Sequence, residues 1–273
     1  MSLTTPEPLP NGKVTYATDG GVALLTLTNP PANGYSLEMM RDLDEAILRA
    51  RFDDAIQVIV LAGAGPKFFC AGADIAMLDA VTPAFKYAFC LHANETLLRL
   101  EHTPKLVIAA LGGHCVGGGL EVALAADLRY ARRGSGKCGL PEVSLGVLPG
   151  TGGTQRLARV VGKSKAIELM AAGELFDYET AERLGLVNRV LDAADEDGFL
   201  AQVLDLARGF CTPGKAALSV GHIKRAVQTG VEVPLEVGLA LERELQAKLF
   251  ASADAREGIA AFVEKRPPSF QGK

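Results

Sequence analysis

The chain has 273 residues, 48% of them hydrophobic and 22% charged, enough to bury a substantial core in one large domain or in a domain with an appendage. A net charge of -4 and a pI near 5.7 give no general attraction to nucleic acid or to an anionic membrane, so neither is expected as a partner. Five cysteines, Cys70, Cys90, Cys115, Cys138 and Cys211, form no CxxC pair and read as reduced thiols in a cytoplasmic compartment.

The opening MSLTTPEPLPNGK has no apolar core and reads as a short polar tail. Residues 14–18 and 22–28 flank Asp19-Gly20-Gly21, a hairpin signal, and Asn29-Pro30-Pro31 stops the second strand. Ser36 is placed to cap a helix whose apolar positions Leu37, Met40, Leu43, Ile47 and Leu48 keep helical spacing. Residues 58–62 read as a buried strand, followed by a glycine-punctuated loop, a helix over about 83–101, and another buried strand at 106–111. The weakly polar run 106–126 approaches membrane-span length. Glu121 would cost about 2.5–3.5 kcal/mol at a bilayer centre, however, and the glycines favour a buried strand-turn-helix unit.

Short apolar strands alternating with helices predict an α/β protein whose strands are buried on both faces. The acidic segment 192–198, DAADEDG, reads as a loop and a boundary, dividing a core at 1–198 from a helical region at 199–273. In that region Val237, Leu241, Leu245 and Leu249 recur at i+4, and the last helix is expected to stop at Arg266 before Pro267-Pro268.

Several motifs fail. Gly162-Lys163-Ser164 resembles the end of a phosphate-binding loop, but the glycine such a loop needs is replaced by Leu157. The GxGxxG pattern fails at Gly117, where Val122 stands last, and at Gly150, where Gln155 does. No HExxH, histidine cluster or spaced cysteines suggest a metal. His114 beside Cys115 invites a thiol-nucleophile reading, although a packed cysteine accounts for it better.

Three segments carry chemistry together: FFCAGADI (68–75), GGGLE (117–121) and LPEVSLGVLPGTGGTQR (140–156). Two glycine loops can each present a backbone amide, and two convergent amides make an oxyanion hole. Glu121 and Glu142 can move protons if burial brings their pKa values near working pH. Singly, each feature has a plainer reading: the glycines as close packing, Glu121 as a buried ion-pair partner, Glu142 as a favourable charge at a helix N-terminus.

In this order and at these separations, the segments resemble the crotonase superfamily, specifically its enoyl-CoA hydratase/isomerase branch. The resemblance runs from the strand at 22–28 to the ending at 262–266. It implies a spiral of ββα units in two sheets, then a helical C-terminal region serving trimer formation and as an active-site lid, with trimers commonly stacked into hexamers. It implies an acyl-CoA thioester whose oxygen is held by the amides of Ala73 and Gly118, with Ala71, Gly72, Asp74, Ile75 and Gly117 lining the substrate. Phe262 and Lys265 match residues that reach a CoA group in relatives, often on a neighbouring subunit. Glu121 matches the glutamate that orients and activates water, and Glu142 the one that delivers a proton to the α-carbon.

No metal or redox cofactor is implied, since the CoA thioester is the substrate. Retention of both glutamates favours hydration of trans-2-enoyl-CoA in fatty-acid β-oxidation chemistry. The alternatives are a 3,2-enoyl-CoA isomerase, which needs no water, and a non-catalytic acyl-CoA-binding protein on the same scaffold. The segment Asn29-Pro-Pro-Ala-Asn-Gly-Tyr35 departs from the common RPxxxNAL form, and Ala76 replaces a frequent lysine.

Overall fold

The computed structural model describes residues 3–73 and 75–273. The predicted hairpin is present: β2 (Val14–Asp19) and β3 (Val22–Leu27) pair antiparallel across Gly20-Gly21, with Gly20 at φ 59°. Ahead of them, β1 (Glu7–Pro8) adds an edge strand to β2, so the segment read as a polar tail is part of the sheet. Leu9 is buried, and the Asp42 carboxylate accepts the amides of Asn11 at 2.9 Å and Lys13 at 2.8 Å. Proline is tolerated there because an edge strand leaves its outer side unpaired.

Ser36 caps α1 (Leu37–Phe52), its Oγ accepting the Met39 amide at 3.3 Å. Next come β4 (Val58–Gly63), β5 (Phe68–Cys70), α2 (Ile75–Ala80) and α3 (Pro83–Glu101), the last capped by Thr82 with proline in its first turn. The run of near-membrane length divides into β6 (Leu106–Leu111), β7 (His114–Val116) and α4 (Gly118–Leu124). Among the described residues, no helix is long and apolar enough to cross a membrane. Beyond α4 lie β8 (Leu128–Arg132), β9 (Lys137–Gly139), a 3-10 turn at Glu142–Leu145, α5 (Gly153–Val161) and α6 (Lys163–Ala172). The remaining elements are β10 (Phe176–Asp177), α7 (Tyr178–Arg183), β11 (Arg189–Leu191), α8 (Glu196–Arg208), α9 (Ala217–Gly230), α10 (Leu235–Phe250) and α11 (Ala253–Glu264).

The strands form two sheets, ordered β1-β2-β3-β4-β6-β8-β11 and β10-β9-β7-β5. Strands β4, β6 and β8 are parallel neighbours in the first, and β5, β7 and β9 in the second. Each turn of chain therefore gives one strand to each sheet before a helix returns it, which is the repeating ββα spiral expected. Side-chain alternation divides two cores. Leu25, Leu27, Ile59 and Leu61 face α1 and the body of the spiral, whereas Val22, Leu24, Val58 and Val60 face α8.

The acidic segment is not simply a loop. Asp195 caps α8 by accepting the Gly198 amide at 2.8 Å, with Glu196 and Asp197 in the first turn, where negative charge meets the helix dipole. Position 198 falls inside this helix, and Phe199, Val203 and Ala207 bury against the large sheet, so α8 packs as part of the core. The helices beyond it are moored by a buried ion pair between Lys224 Nζ and Asp127 Oδ2 at 2.8 Å. Of the i+4 set only Leu245 is buried, while Val237 is exposed. The last helix ends at Glu264, two residues before the expected stop, because Lys265 caps it with φ 56°.

Candidate active site

The two glycine loops meet at the start of α4. Gly72 has φ 91°, and a β-carbon on it would stand 3.0 Å from Val116 O and 3.2 Å from Gly118 N. Ala73 follows in the same loop, and Gly118 is the first residue of α4, whose opening amides have no partner within the helix. Among the described hydrogen bonds, neither Ala73 N–H nor Gly118 N–H donates to another backbone group. Gly119 is required by close approach, since its β-carbon would lie 2.1 Å from Cys70 O.

Glu121 projects from the first turn of α4 and is 1% exposed. Its Oε1 accepts the amides of Thr151 at 2.7 Å and Gly153 at 2.8 Å, so the start of α5 grips one carboxylate oxygen. Burial pushes the Glu121 pKa up, opposed by those two amides and by the charges of Lys86 and Arg156. Arg156 holds the gripping segment itself, through a two-pronged bond to Glu101 at 2.9 and 2.7 Å and a bond to Thr151 O at 3.2 Å.

Glu142 stands on the 3-10 turn opposite Gly117, where a β-carbon would sit 2.9 Å from its Oε1. Its Oε2 is buried without a hydrogen-bond partner among the described residues. Burial, with the Glu121 charge adding to it, raises the Glu142 pKa to about 7, against the pull of a backbone hydrogen bond and of Lys86. Two carboxyl groups thus flank the paired glycine loops, one fixed by amides and one poised near neutrality.

Other expected residues are placed as follows. Ala71 donates its amide to Ala32 O at 3.0 Å, tying the first loop to the segment 29–35, and Ile75 opens α2. Asp74 lies outside the described residues. Phe262 lies in the last turn of α11 and Lys265 is its C-cap, and no described hydrogen bond or ion pair joins either to Glu121 or Glu142. Phe262 is 86% exposed, and the tail beyond them folds back so that Phe270 N–H donates to Pro213 O. Cys115 is buried in the core, which drives its thiol pKa well up and leaves no nucleophile beside His114. Sequence reading missed Tyr35, whose hydroxyl shares a hydrogen bond with Thr151 Oγ1 at 2.9 Å; the departure from RPxxxNAL was the available signal. A cavity of about 680 Å³ borders the segment 148–156, lined by Leu98, Glu101 and Arg156 among others, and neither Glu121 nor Glu142 is part of its lining.

A family model described as enoyl-CoA hydratase/isomerase matches residues 17–273. A Bacillus subtilis protein named probable enoyl-CoA hydratase is 37% identical over 261 residues, covering 95% of this chain and 99% of its own length. The crystal structure of "Enoyl-CoA hydrates" from Geobacillus kaustophilus superposes with a TM-score of 0.92 at 43% identity, covering 100% of this chain and 99% of that one. The enoyl-CoA hydratase of Bacillus anthracis superposes at 0.89 with 30% identity, covering 96% and 100%.

Proposed function

The chain belongs to the enoyl-CoA hydratase/isomerase family of enzymes, and from that premise we propose that it adds water reversibly and syn to trans-2-enoyl-CoA, giving 3-hydroxyacyl-CoA. The observation carrying this reading is the presence of two carboxyl groups, Glu121 and Glu142, at the same pair of glycine loops. A shift of a double bond needs one proton carrier, whereas adding water across it uses both.

The thioester oxygen is taken to lie between the amides of Ala73 and Gly118. Attack of water at the β-carbon drives electrons onto that oxygen as an enolate, so the amides bind the transition state more strongly than the ground state. Each such donor contributes about 2.7–4 kcal/mol by analogy with protease oxyanion holes. Glu121, with Oε1 committed to Thr151 and Gly153, presents its other oxygen to orient and deprotonate the water. Glu142, with its pKa raised to about 7, is protonated often enough at neutral pH to supply the α-carbon proton. The chemistry so assigned is a polar addition that needs no redox or metal cofactor, with the CoA thioester as substrate.

The chain is further proposed to act as a trimer or a dimer of trimers. Ile223, Val227 and Val231 on and after α9, with Leu235 and Val237 on α10, form an exposed apolar series suited to burial between subunits. Phe262 and Lys265 are then assigned to a neighbouring subunit's CoA. The five free thiols fit a reducing, cytoplasmic setting.

The test is the ultraviolet absorbance of the conjugated thioester after protein is added to crotonyl-CoA and to longer enoyl-CoA esters. Loss of absorbance supports hydration. Unchanged absorbance, with conversion of 3-enoyl-CoA that survives removal of one glutamate, identifies the isomerase instead; binding of CoA esters without any turnover identifies a scaffold protein.

A further inference from the structure

Tyr35 belongs to none of the motifs on which the functional reading rests, yet it touches both glycine loops and the segment that grips Glu121. Its backbone N–H donates to Gly72 O at 2.9 Å, and it forms an isolated parallel bridge with Ala73. Its ring occupies the space over Gly118, where a β-carbon would fall 1.7 Å from Cε1, and it stacks on Phe89 with centroids 5.4 Å apart. Its hydroxyl bonds Thr151 Oγ1 at 2.9 Å, and the amide of that same threonine donates to Glu121 Oε1 at 2.7 Å. Tyr35 is 3% exposed and Thr151 1%, so water does not readily replace either hydroxyl as the other's partner.

We propose that Tyr35 is a positioning residue that sets the register between the two oxyanion amides and Glu121, acting through Gly72, Gly118 and Thr151 rather than on the substrate. The Ala73 loop, the start of α4 and the segment 149–153 come from three separate turns of the spiral. Tyr35 links the first by its backbone, the second by its ring and the third by its hydroxyl. Addition of water requires the carbonyl oxygen and the β-carbon to be addressed at a fixed separation, and a misplacement of about 1 Å can cost about a hundredfold in rate. The catalytic consequence rests on the hydratase reading; the mechanical link does not.

Glu121 is faced by Lys86 from α3, Arg156 from α5, Glu142 from the 3-10 turn and Tyr35 from the segment before α1. Removing the Tyr35 hydroxyl leaves the first three in place and frees Thr151. The amide grip that holds the Glu121 pKa down then weakens, so that pKa rises, and a base with a raised pKa loses activity at higher pH than before.

The test compares wild type, Tyr35→Phe, Thr151→Val and Thr151→Ser by crotonyl-CoA kinetics against pH and by amide hydrogen exchange of the segment 149–156. In Tyr35→Phe and Thr151→Val, kcat should fall about tenfold with KM within about twofold, and the acidic limb should move to higher pH. Exchange should quicken in 149–156, Thr151→Ser should recover most of what Thr151→Val loses, and the double variant should be no worse than Thr151→Val alone. If wild type hydrates no enoyl-CoA, the functional reading fails while the exchange result still decides the link. Unchanged exchange in 149–156 in both variants overturns the proposal. So does exchange that rises evenly along the chain, or a lower melting temperature without a moved pH limb, since a tyrosine that merely fills the core would produce either.

Discussion

Gly117 and Glu142 are in direct apposition: a β-carbon on the glycine would stand 2.9 Å from the carboxylate Oε1, and the glycine itself sits at φ 55° and ψ -129°. The positive φ strains any side chain there, and the carboxylate would have to shift to admit a β-carbon. Gly117→Ala is expected to cost about 1–3 kcal/mol in backbone strain and to displace Glu142. Thermal unfolding should show the first effect. Loss of hydration in the protein that remains folded should show the second.

Glu142 should impose the same alkaline limit on both directions of the reaction. Hydration starts with Glu142 protonated and Glu121 ionised, and dehydration starts with that one proton on Glu121 instead, so the pair must hold one proton either way. The overall reaction takes up no proton, so kcat/KM should decline in both directions as pH rises through about 7. Initial rates in both directions across pH check this. Because Glu121 raises the Glu142 pKa, Glu121→Gln should move the remaining hydration limb to lower pH.

The same shift has a consequence for stability. The folded-state pKa of Glu142 is raised, so its contribution is most favourable below the ordinary glutamate range and is lost as pH rises through about 7. Glu142→Gln should therefore gain melting temperature relative to wild type at pH above that value and gain less in mild acid. Paired thermal scans at the two pH values decide it.

Glu121→Gln should retain the fold, because an amide oxygen can still accept from Thr151 and Gly153. It should lower kcat by about a hundredfold to ten-thousandfold through loss of the base. Near-wild-type binding of a 3-hydroxyacyl-CoA, measured calorimetrically, would separate that loss from misfolding.

Much of this site was legible in the sequence because its parts are short local motifs. AGAD, GGGLE and LPE each place a glycine or a carboxylate at an element boundary, and helix α3 was readable from Thr82-Pro83 to Glu101 by its own caps. What was not legible depends on partners far along the chain. The edge strand at Glu7–Pro8 is held partly through Asp42, about thirty residues on, and nothing in the polar tail announces it. The acidic segment 192–198 looked like a loop because residues that favour a helix N-terminus also favour turns. Tyr35 and Thr151 are 116 residues apart, so their shared hydrogen bond has no local signature.

Lys224 and Asp127 moor α9 to the spiral, with side chains only 3% and 11% exposed. Lys224→Met leaves a buried carboxylate without its cation and should destabilise the protein by about 3–5 kcal/mol. Denaturant unfolding measures this. Replacing both partners with apolar residues should recover a large part of the loss.

The central claim is that Glu121 and Glu142 add water across the double bond. Turnover of crotonyl-CoA in water enriched in heavy oxygen, read by mass spectrometry, tests it most directly. The account predicts 3-hydroxybutyryl-CoA carrying the heavy isotope at its β-carbon, with the label greatly reduced in both Glu→Gln variants. Recovery of unlabelled enoyl-CoA alone, or of a shifted double bond without solvent oxygen, would contradict it.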